Sequence, residues 1–320
     1  MNLTEELSAF ANKKILVIGD IILDIYLHGK VDRISPEAPI PIVNHSNTKH
    51  ALGGAANVAA NLKGLGADVS LISIVGNDHE AEYLLTMLEL EEIGANLIKT
   101  SKTTTSKTRV IASNHQMLRI DHENTEDIAQ DEEENLKNDI QVLIRHWKPE
   151  AIVLEDYNKG MLTKNIIQFV LEQAQSNEIP IVVDPKKKNF FDYTGSTIFK
   201  PNLKECAAQI PFHITPEPDS LSKADDYLRD RLRHKITMIT LAEHGIFISD
   251  GKNKMIVPTS VHQVADVSGA GDTVTAIATF GILQSLSLQD IATVSNMAAG
   301  IVCNHSGVYA IQKDELIKSN

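Results

Sequence analysis

A series of short, continuously apolar runs, each closed by an acidic or turn residue, constrains this 320-residue chain more than any other feature. Ile15-Leu16-Val17-Ile18 ends in Gly19-Asp20, and Val69-Ser70-Leu71-Ile72-Ser73-Ile74-Val75 ends in Gly76-Asn77-Asp78. Ala151-Ile152-Val153-Leu154 ends in Glu155-Asp156, Ile181-Val182-Val183 in Asp184-Pro185, and Thr237-Met238-Ile239-Thr240-Leu241 in Ala242-Glu243. Apolarity that is continuous rather than alternating marks strands buried on both faces, hence a parallel sheet covered by helices on each side. Helical patterns lie between the runs, at Gly53 to Leu65, His79 to Leu90 and Glu126 to Trp147. The last of these begins acidic, ends in Arg145, His146 and Lys148, and stops at Pro149, as a helix dipole favours. The alternation predicts an α/β class. Ligands of open parallel sheets bind at the carboxyl ends of the strands, so the acids and amides that close the runs are candidate site residues, with capping and turn formation as their alternative use.

Two stretches break the alternation. Residues 30–50 carry Pro36, Pro39 and Pro41 and the extended run Ile40-Pro41-Ile42-Val43. Residues 103–122 alternate polar and apolar side chains through Ser106–Ala112 and Gln116–Asp121, as half-exposed antiparallel strands do. Together they predict a small β lid inserted into one domain spanning 1–320, with Ile40, Ile42, Ile111 and Met117 as an apolar surface for a second copy. The formal net charge of -12 repels polyanions, so nucleic acid is not an expected partner and any anionic ligand needs local groups. Cys206 and Cys303 form no C-x-x-C pair, which excludes a disulfide framework or a zinc ribbon and suggests reduced, buried thiols. No run reaches the ~18 apolar residues of a membrane helix, and Met1 to Asn12 lacks the pattern of a signal peptide. A cytoplasmic protein with no membrane partner is expected.

The sharpest local feature is Asp266-Val267-Ser268-Gly269-Ala270-Gly271-Asp272-Thr273, followed by a helix-compatible stretch from Val274 to Leu286. Small residues there let successive amides converge at a helix start, which makes an anion hole. Asp272 in the first turn is placed to take a proton from a substrate hydroxyl while the amides stabilise a transferring phosphoryl group. Its alternative is a helix cap. No G-x-x-x-x-G-K-[ST], H-E-x-x-H or G-x-S-x-G occurs. A dinucleotide fingerprint is matched only weakly, because Val274 stands at the third glycine position and Asp290 opens a helical pattern instead of closing a strand.

The octapeptide resembles the C-terminal signature of the ribokinase-like (PfkB) carbohydrate kinases, and further matches follow in order along nearly the whole chain. Gly19-Asp20-Ile21-Ile22-Leu23-Asp24 resembles the first strand and its sugar-binding aspartate. Gly53-Gly54-Ala55-Ala56-Asn57 resembles the sugar-binding Gly-Gly turn, Pro201-Asn202-Leu203-Lys204-Glu205 the Asn-x-x-Glu element, and Thr240-Leu241-Ala242-Glu243-His244-Gly245 the segment along the nucleotide. The resemblance implies a three-layer α/β/α sandwich with a mainly parallel sheet and a β lid. It implies Asp272 as general base with Gly269, Ala270 and Gly271 at the phosphoryl group, and a sugar site containing Asp24, Gly53, Gly54 and Asn57. A nucleotide site is implied at Asn202, Glu205, Thr240, Glu243 and Gly245, joined by Asn296 as a candidate near adenine. ATP is the implied co-substrate, with Mg²⁺ served by Glu205 through water. Asp266 resembles the start of a monovalent-cation loop, which leaves K⁺ an open candidate.

Arg33-Ile34-Ser35-Pro36-Glu37-Ala38-Pro39-Ile40-Pro41, Gln116–Asp121, Asp156-Tyr157-Asn158-Lys159-Gly160 and Asp184-Pro185-Lys186 resemble the members acting on D-glycero-β-D-manno-heptose 7-phosphate at its C1 hydroxyl, a step toward ADP-heptose and the lipopolysaccharide core. The absence of an H-x-G-H motif resembles the monofunctional form. A phosphorylated sugar needs cations, for which Arg119, Lys159 and Lys186 are the chosen candidates, with Arg109 and Arg33 behind them and Lys187 and Lys188 equally suited to a solvated loop. The rival readings are a kinase of an unphosphorylated sugar or nucleoside, a non-catalytic sugar-binding protein, and a dinucleotide oxidoreductase. The resemblance also implies a homodimer through the lid.

Overall fold

The computed structural model describes residues 2–113, 115–259 and 266–319; position 114 of the second lid segment lies outside them. Its main sheet is built from β1 (Lys14–Gly19), β4 (Asp68–Val75), β5 (Gly94–Lys99), β8 (Ala151–Glu155), β9 (Ile181–Asp184), β10 (Ile198–Phe199), β11 (Ile236–Thr240), β12 (Ile246–Ser249) and β13 (Lys254–Val257). The spatial order is β13-β12-β11-β10-β9-β8-β1-β4-β5. All neighbours are parallel except the β11–β12–β13 meander at one edge. The continuous apolar runs are explained by the side chains of β1: Ile15 and Val17 enter one core, Leu16 and Ile18 the other, and none is exposed. The first core is closed by the helices Leu3–Phe10, Ala55–Gly64, His79–Leu90, Ala270–Leu283 and Leu288–Cys303. The second is closed by Gln130–Trp147, Lys164–Ser176, Leu203–Gln209 and Pro218–Leu232. This is the three-layer arrangement expected from the sequence, and both cysteines are buried free thiols.

A separate four-stranded sheet stands over the carboxyl ends of the main strands. It comprises β2 (Ile21–Ile34), β3 (Pro41–Gly54), β6 (Ser106–Ala112) and β7 (His115–His122), in the order β3-β2-β6-β7. The lid therefore starts at Ile21, not at residue 30, and Asp24 is a lid residue rather than the end of the first main strand. Its root is hidden in the sequence because Ile21, Ile22 and Leu23 are as buried as the core strands. They are tied in by Ile21 N–H on Ser73 Oγ (3.2 Å) and Leu23 N–H on the Thr105 carbonyl (2.9 Å). β6 pairs parallel to β2 and antiparallel to β7. β7 is exposed on both faces rather than half-buried, because no layer covers the far edge of the lid.

Helix starts differ from the sequence pattern in both directions. The helix before Pro149 begins at Gln130, where Glu132 accepts the Ala129 N–H (2.9 Å), rather than at Glu126. The helix after the glycine turn begins four residues early, at Ala270, so Asp272 lies in its first turn. Asp290 lies in the first turn of the helix Leu288–Cys303, where its N–H donates to the Oγ of the N-cap Ser287 (3.1 Å). The helix Leu3–Phe10 has no counterpart among the expected elements. Among the described residues no helix is long and apolar enough to cross a membrane.

Candidate active site

Asp272 is held by two hydrogen bonds at the carboxyl edge of the sheet. It is 3% exposed. Asn57 Nδ2 donates to its Oδ2 (2.7 Å) and the Tyr157 hydroxyl donates to its Oδ1 (2.8 Å). Burial pushes its pKa up from 3.8 to about 6, and the two hydrogen bonds restrain the rise. A carboxylate near neutrality, ionised but weakly stabilised, suits a general base. Asn57 is fixed in turn by Asn61, whose amide donates to the Asn57 Oδ1 (3.1 Å). Tyr157 follows β8 in a loop pinned by Asp20, which accepts the amides of Tyr157 (2.8 Å) and Lys159 (3.0 Å). Burial and the nearby charge of Asp156 raise the Asp20 pKa to about 6.

Behind Asp272 lie two acids from neighbouring strand ends. Glu155, Asp184 and Asp272 each offer a carboxylate oxygen within 4.8 Å of the other two, and all three are buried. Their environments differ. Lys200 (2.8 Å) and Lys186 (3.2 Å) pair with Asp184. Burial alone would raise the Asp184 pKa, but the two ammoniums outweigh it and the carboxyl is held below its ordinary value. Glu155 is fully buried, and neither of its oxygens has a hydrogen-bond partner among the described residues. Burial, then the charges of Asp184 and Asp272, push its pKa well above 4.5. Buried polar atoms without partners are rare enough to require an explanation, and a hard divalent cation takes this kind of oxygen set. In the sequence Glu155 is signalled by its strand-end position alone, whereas Asp184 and Tyr157 also fall in the resembling stretches Asp184-Pro185-Lys186 and Asp156-Tyr157-Asn158-Lys159-Gly160; Lys200 has no signal.

The glycine turn faces the same pocket. At Gly271 a Cβ would lie 3.9 Å from Asp184 Oδ2 and 4.0 Å from Lys200 Nζ, in open contact range. At Gly269, where φ is +82°, a Cβ would meet Asn57 Nδ2 at 2.6 Å. The two glycines are therefore expected to respond differently. Gly271→Ala keeps the fold and its melting temperature within a few degrees, while its methyl fills the space over Asp184 and cuts turnover at least about tenfold, about 1.4 kcal/mol. Gly269→Ala is expected to lose stability, since the left-handed conformation and the Asn57 contact both oppose a Cβ. Paired thermal melts and steady-state rates check this. Of the proposed phosphoryl-binding amides, Ala270 N–H is turned onto the Val267 carbonyl (3.3 Å). The first-turn amides of Gly271 and Asp272 have no acceptor within the helix.

The other sequence-derived residues divide into three groups. Asp24 lies near the site in the lid root, ion-paired with Arg109. A Cβ at Gly53 would strike Asp24 Oδ2 at 2.2 Å, so Gly53 is what admits Asp24, and at Gly54, with φ +58°, a Cβ would strike the Asp20 carbonyl at 2.4 Å. Asn202 and Glu205 cap the helix Leu203–Gln209 reciprocally: each backbone N–H donates to the other's side chain at 2.8 Å. Asn202 bridges to Thr240. Glu205 also pairs with Lys186 (2.8 Å), so it stands beside the three-carboxylate set rather than within it. Glu243 is exposed in the turn before Gly245. Asn296 commits its amide to the carbonyls of Val257 (2.8 Å) and Pro258 (3.3 Å). Lys159 pairs with Glu123 (2.6 Å) and Arg119 with Asp121 (2.8 Å). Arg33, Lys187 and Lys188 are exposed, and Lys188 pairs with Asp127.

A buried carboxylate at a glycine-turned helix start, beneath a β lid on a parallel sheet, defines a small-molecule phosphotransferase site. The chain belongs to the pfkB family of carbohydrate kinases, whose profile matches residues 12–315, and is an ATP-dependent carbohydrate kinase. It is 39% identical over 307 residues to the bifunctional protein HldE of Methylobacillus flagellatus, covering 94% of this chain and 62% of that protein. It is 38% identical over 304 residues to the bifunctional protein HldE of Aliarcobacter butzleri, covering 94% and 63%. The chain thus spans less than two thirds of the length of these curated relatives. Among solved structures, phosphofructokinase-2 from Escherichia coli in complex with substrates and products superposes with a TM-score of 0.79 at 20% identity, covering 96% of this chain and 98% of that one. Arabidopsis thaliana ribokinase complexed with ribose and ATP gives 0.72 at 17% identity, covering 96% and 98%. These likenesses carry the fold.

Proposed function

We propose that the chain transfers the γ-phosphoryl group of ATP to the C1 hydroxyl of D-glycero-β-D-manno-heptose 7-phosphate, giving heptose 1,7-bisphosphate for ADP-heptose and lipopolysaccharide core synthesis. The observation that carries the catalytic half is Asp272, buried, doubly hydrogen-bonded and raised to about 6. The substrate half is supported by the HldE relatives and by the sequence stretches that resemble heptose 7-phosphate kinases. Asp24 and Asn57 bind sugar hydroxyls. Asp272 accepts the C1 hydroxyl proton as that oxygen attacks the γ-phosphorus and the bond to ADP breaks. The amides of Gly271 and Asp272 and the Lys186 ammonium stabilise the transferring group's charge.

Glu155 and Asp184 fit a divalent cation, taken as Mg²⁺, with Glu205 beside them through Lys186. When bound with ATP, such an ion neutralises phosphate charge. The Asp266 turn, whose carboxylate accepts the amides of Ser268 (2.9 Å) and Gly307 (3.0 Å), is the candidate position for K⁺, tested by exchanging K⁺ for Na⁺. A homodimer is proposed through the lid's outer face, where Leu118 (56% exposed) and Ile120 (52%) stand opposite Val110 and Thr108; sedimentation reads the dimer directly.

The deciding experiment presents purified protein, ATP and Mg²⁺ with heptose 7-phosphate, fructose 6-phosphate, ribose and a nucleoside. Heptose 7-phosphate is expected to give the highest kcat/KM, by at least about a hundredfold, or 2.7 kcal/mol. Faster turnover of ribose or the nucleoside would sink the assignment.

A further inference from the structure

The inner face of the lid carries a cation with which none of the face's own acids forms an ion pair. In the strand register, Lys107 stands between Asp24 on β2 and Asp121 on β7, and Arg109 stands between Tyr26 and Arg119. Residues directly opposite one another share a face, so these side chains line one surface, joined by Lys159 and Glu123 from the loops beside it. The ion pairs are Arg109 with Asp24, Arg119 with Asp121 and Lys159 with Glu123. Each acid takes one cation, and Lys107 is left over. Among the described residues no carboxylate lies within ion-pairing distance of its ammonium, which rests 5.3 Å from the centre of the Tyr157 ring. Burial lowers its pKa, against the nearby charge of Asp24 and with that of Lys159, while Asp121 and Glu123 oppose it more weakly. A half-buried ammonium beside another cation and an Arg–Arg pair across two strands are both unfavourable arrangements. An anion seated there relieves both.

The position says which anion. The Tyr157 ring that carries Lys107 donates its hydroxyl to Asp272, so the ammonium is separated from the proposed base by one ring and one hydrogen bond. A six- or seven-carbon sugar with its reacting hydroxyl at Asp272 reaches that far. Lys186 also lies against this ring, at 5.1 Å, but is held by Asp184 and Glu205.

We propose that the inner face of the lid is an anion subsite for a phosphate monoester on the sugar, with Lys107 as its central cation and Arg119 and Lys159 around it. This rests on the kinase reading above and assigns its specificity to a residue outside the family's signature motifs. Since no acid is ion-paired with Lys107, and Arg109 remains paired with Asp24, Lys107→Gln is expected to fold, with a melting temperature near the wild type. Its KM for heptose 7-phosphate is expected to rise at least about tenfold, the ATP KM to stay within about twofold, and Lys107→Arg to recover most of the loss. An unchanged sugar KM, or an ATP KM that rises equally, would overturn the subsite.

A second arm needs no sugar. With a non-hydrolysable ATP analogue saturating the nucleotide site, inorganic phosphate is expected to raise the melting temperature of the wild type and not of Lys107→Gln; an equal rise in both overturns the proposal. If heptose 7-phosphate is no substrate for the wild type, the function above fails, and this second arm still decides the subsite.

Discussion

Asp272→Asn is expected to lower kcat by about 10² to 10⁴ while ATP affinity stays within about twofold. The exchange keeps the shape of the side chain and removes its ability to take a proton. The surrounding cage survives in part: the carbonyl oxygen of the introduced carboxamide still accepts one of the two donors that hold Asp272, Asn57 or Tyr157, and the helix start is unchanged. The wild type also carries a signature in pH. Its base has a pKa raised from 3.8 to about 6, and only the ionised form accepts a proton. The wild-type kcat/KM is therefore expected to be level above pH about 6 and to fall about tenfold per unit below it. Residual turnover in Asp272→Asn lacks that limb. Rate profiles from about pH 5 to 8, with calorimetric titration of ATP, check both. Turnover within tenfold of the wild type, or an unshifted acid limb in the variant, removes Asp272 as the base.

What the sequence disclosed of this site follows from how local each fact is. Strands such as Ile15–Ile18 are legible because burial on both faces leaves an unbroken apolar run. Asp272 is legible because its geometry is made within eight residues, by glycines that let amides and carboxylate face one way. The lid root is not, since Ile21-Ile22-Leu23 reads like any core strand whichever sheet it joins. Lys107 depends on the register of β6 against both neighbours, and nothing near it in the chain says that Asp24 and Asp121 are taken by other cations. Lys200 reads as a polar strand end before Pro201, yet it is 2% exposed and held by an aspartate from another strand. Asn296 shows the converse: its place in a helix is as expected, but its amide is bound to backbone carbonyls.

Glu155 and Asp184 are both buried acids of one pocket, and their removal is expected to act on stability with opposite signs. Asp184 is ionised against two ammoniums, so Asp184→Asn leaves Lys200, with a side chain 3% exposed, without its partner. Breaking a buried pair from one side costs about 3–5 kcal/mol, and a large fall in melting temperature is expected. The Asp184 pKa is lowered in the fold, so its contribution is present above the unfolded value of 3.8 and lost as pH falls through the depressed folded value. Glu155 behaves inversely. Its folded pKa is raised, so its favourable contribution is full below the unfolded value of 4.5 and is lost as pH rises through the raised one. At neutral pH the metal-free protein carries this acid at a cost, which Glu155→Gln removes; the metal-free variant is expected to melt no lower than the wild type, and higher toward alkaline pH. The same substitution withdraws a charged ligand from the proposed cation site. The Mg²⁺-dependent rise in melting temperature in the presence of an ATP analogue should shrink, and the Mg²⁺ concentration needed for half-maximal turnover should increase at least about tenfold. A buried carboxyl kept only for packing would give neither change: the Mg²⁺ response of Glu155→Gln would match the wild type, and the pair Glu155–Asp184 would lose its assignment as the cation site.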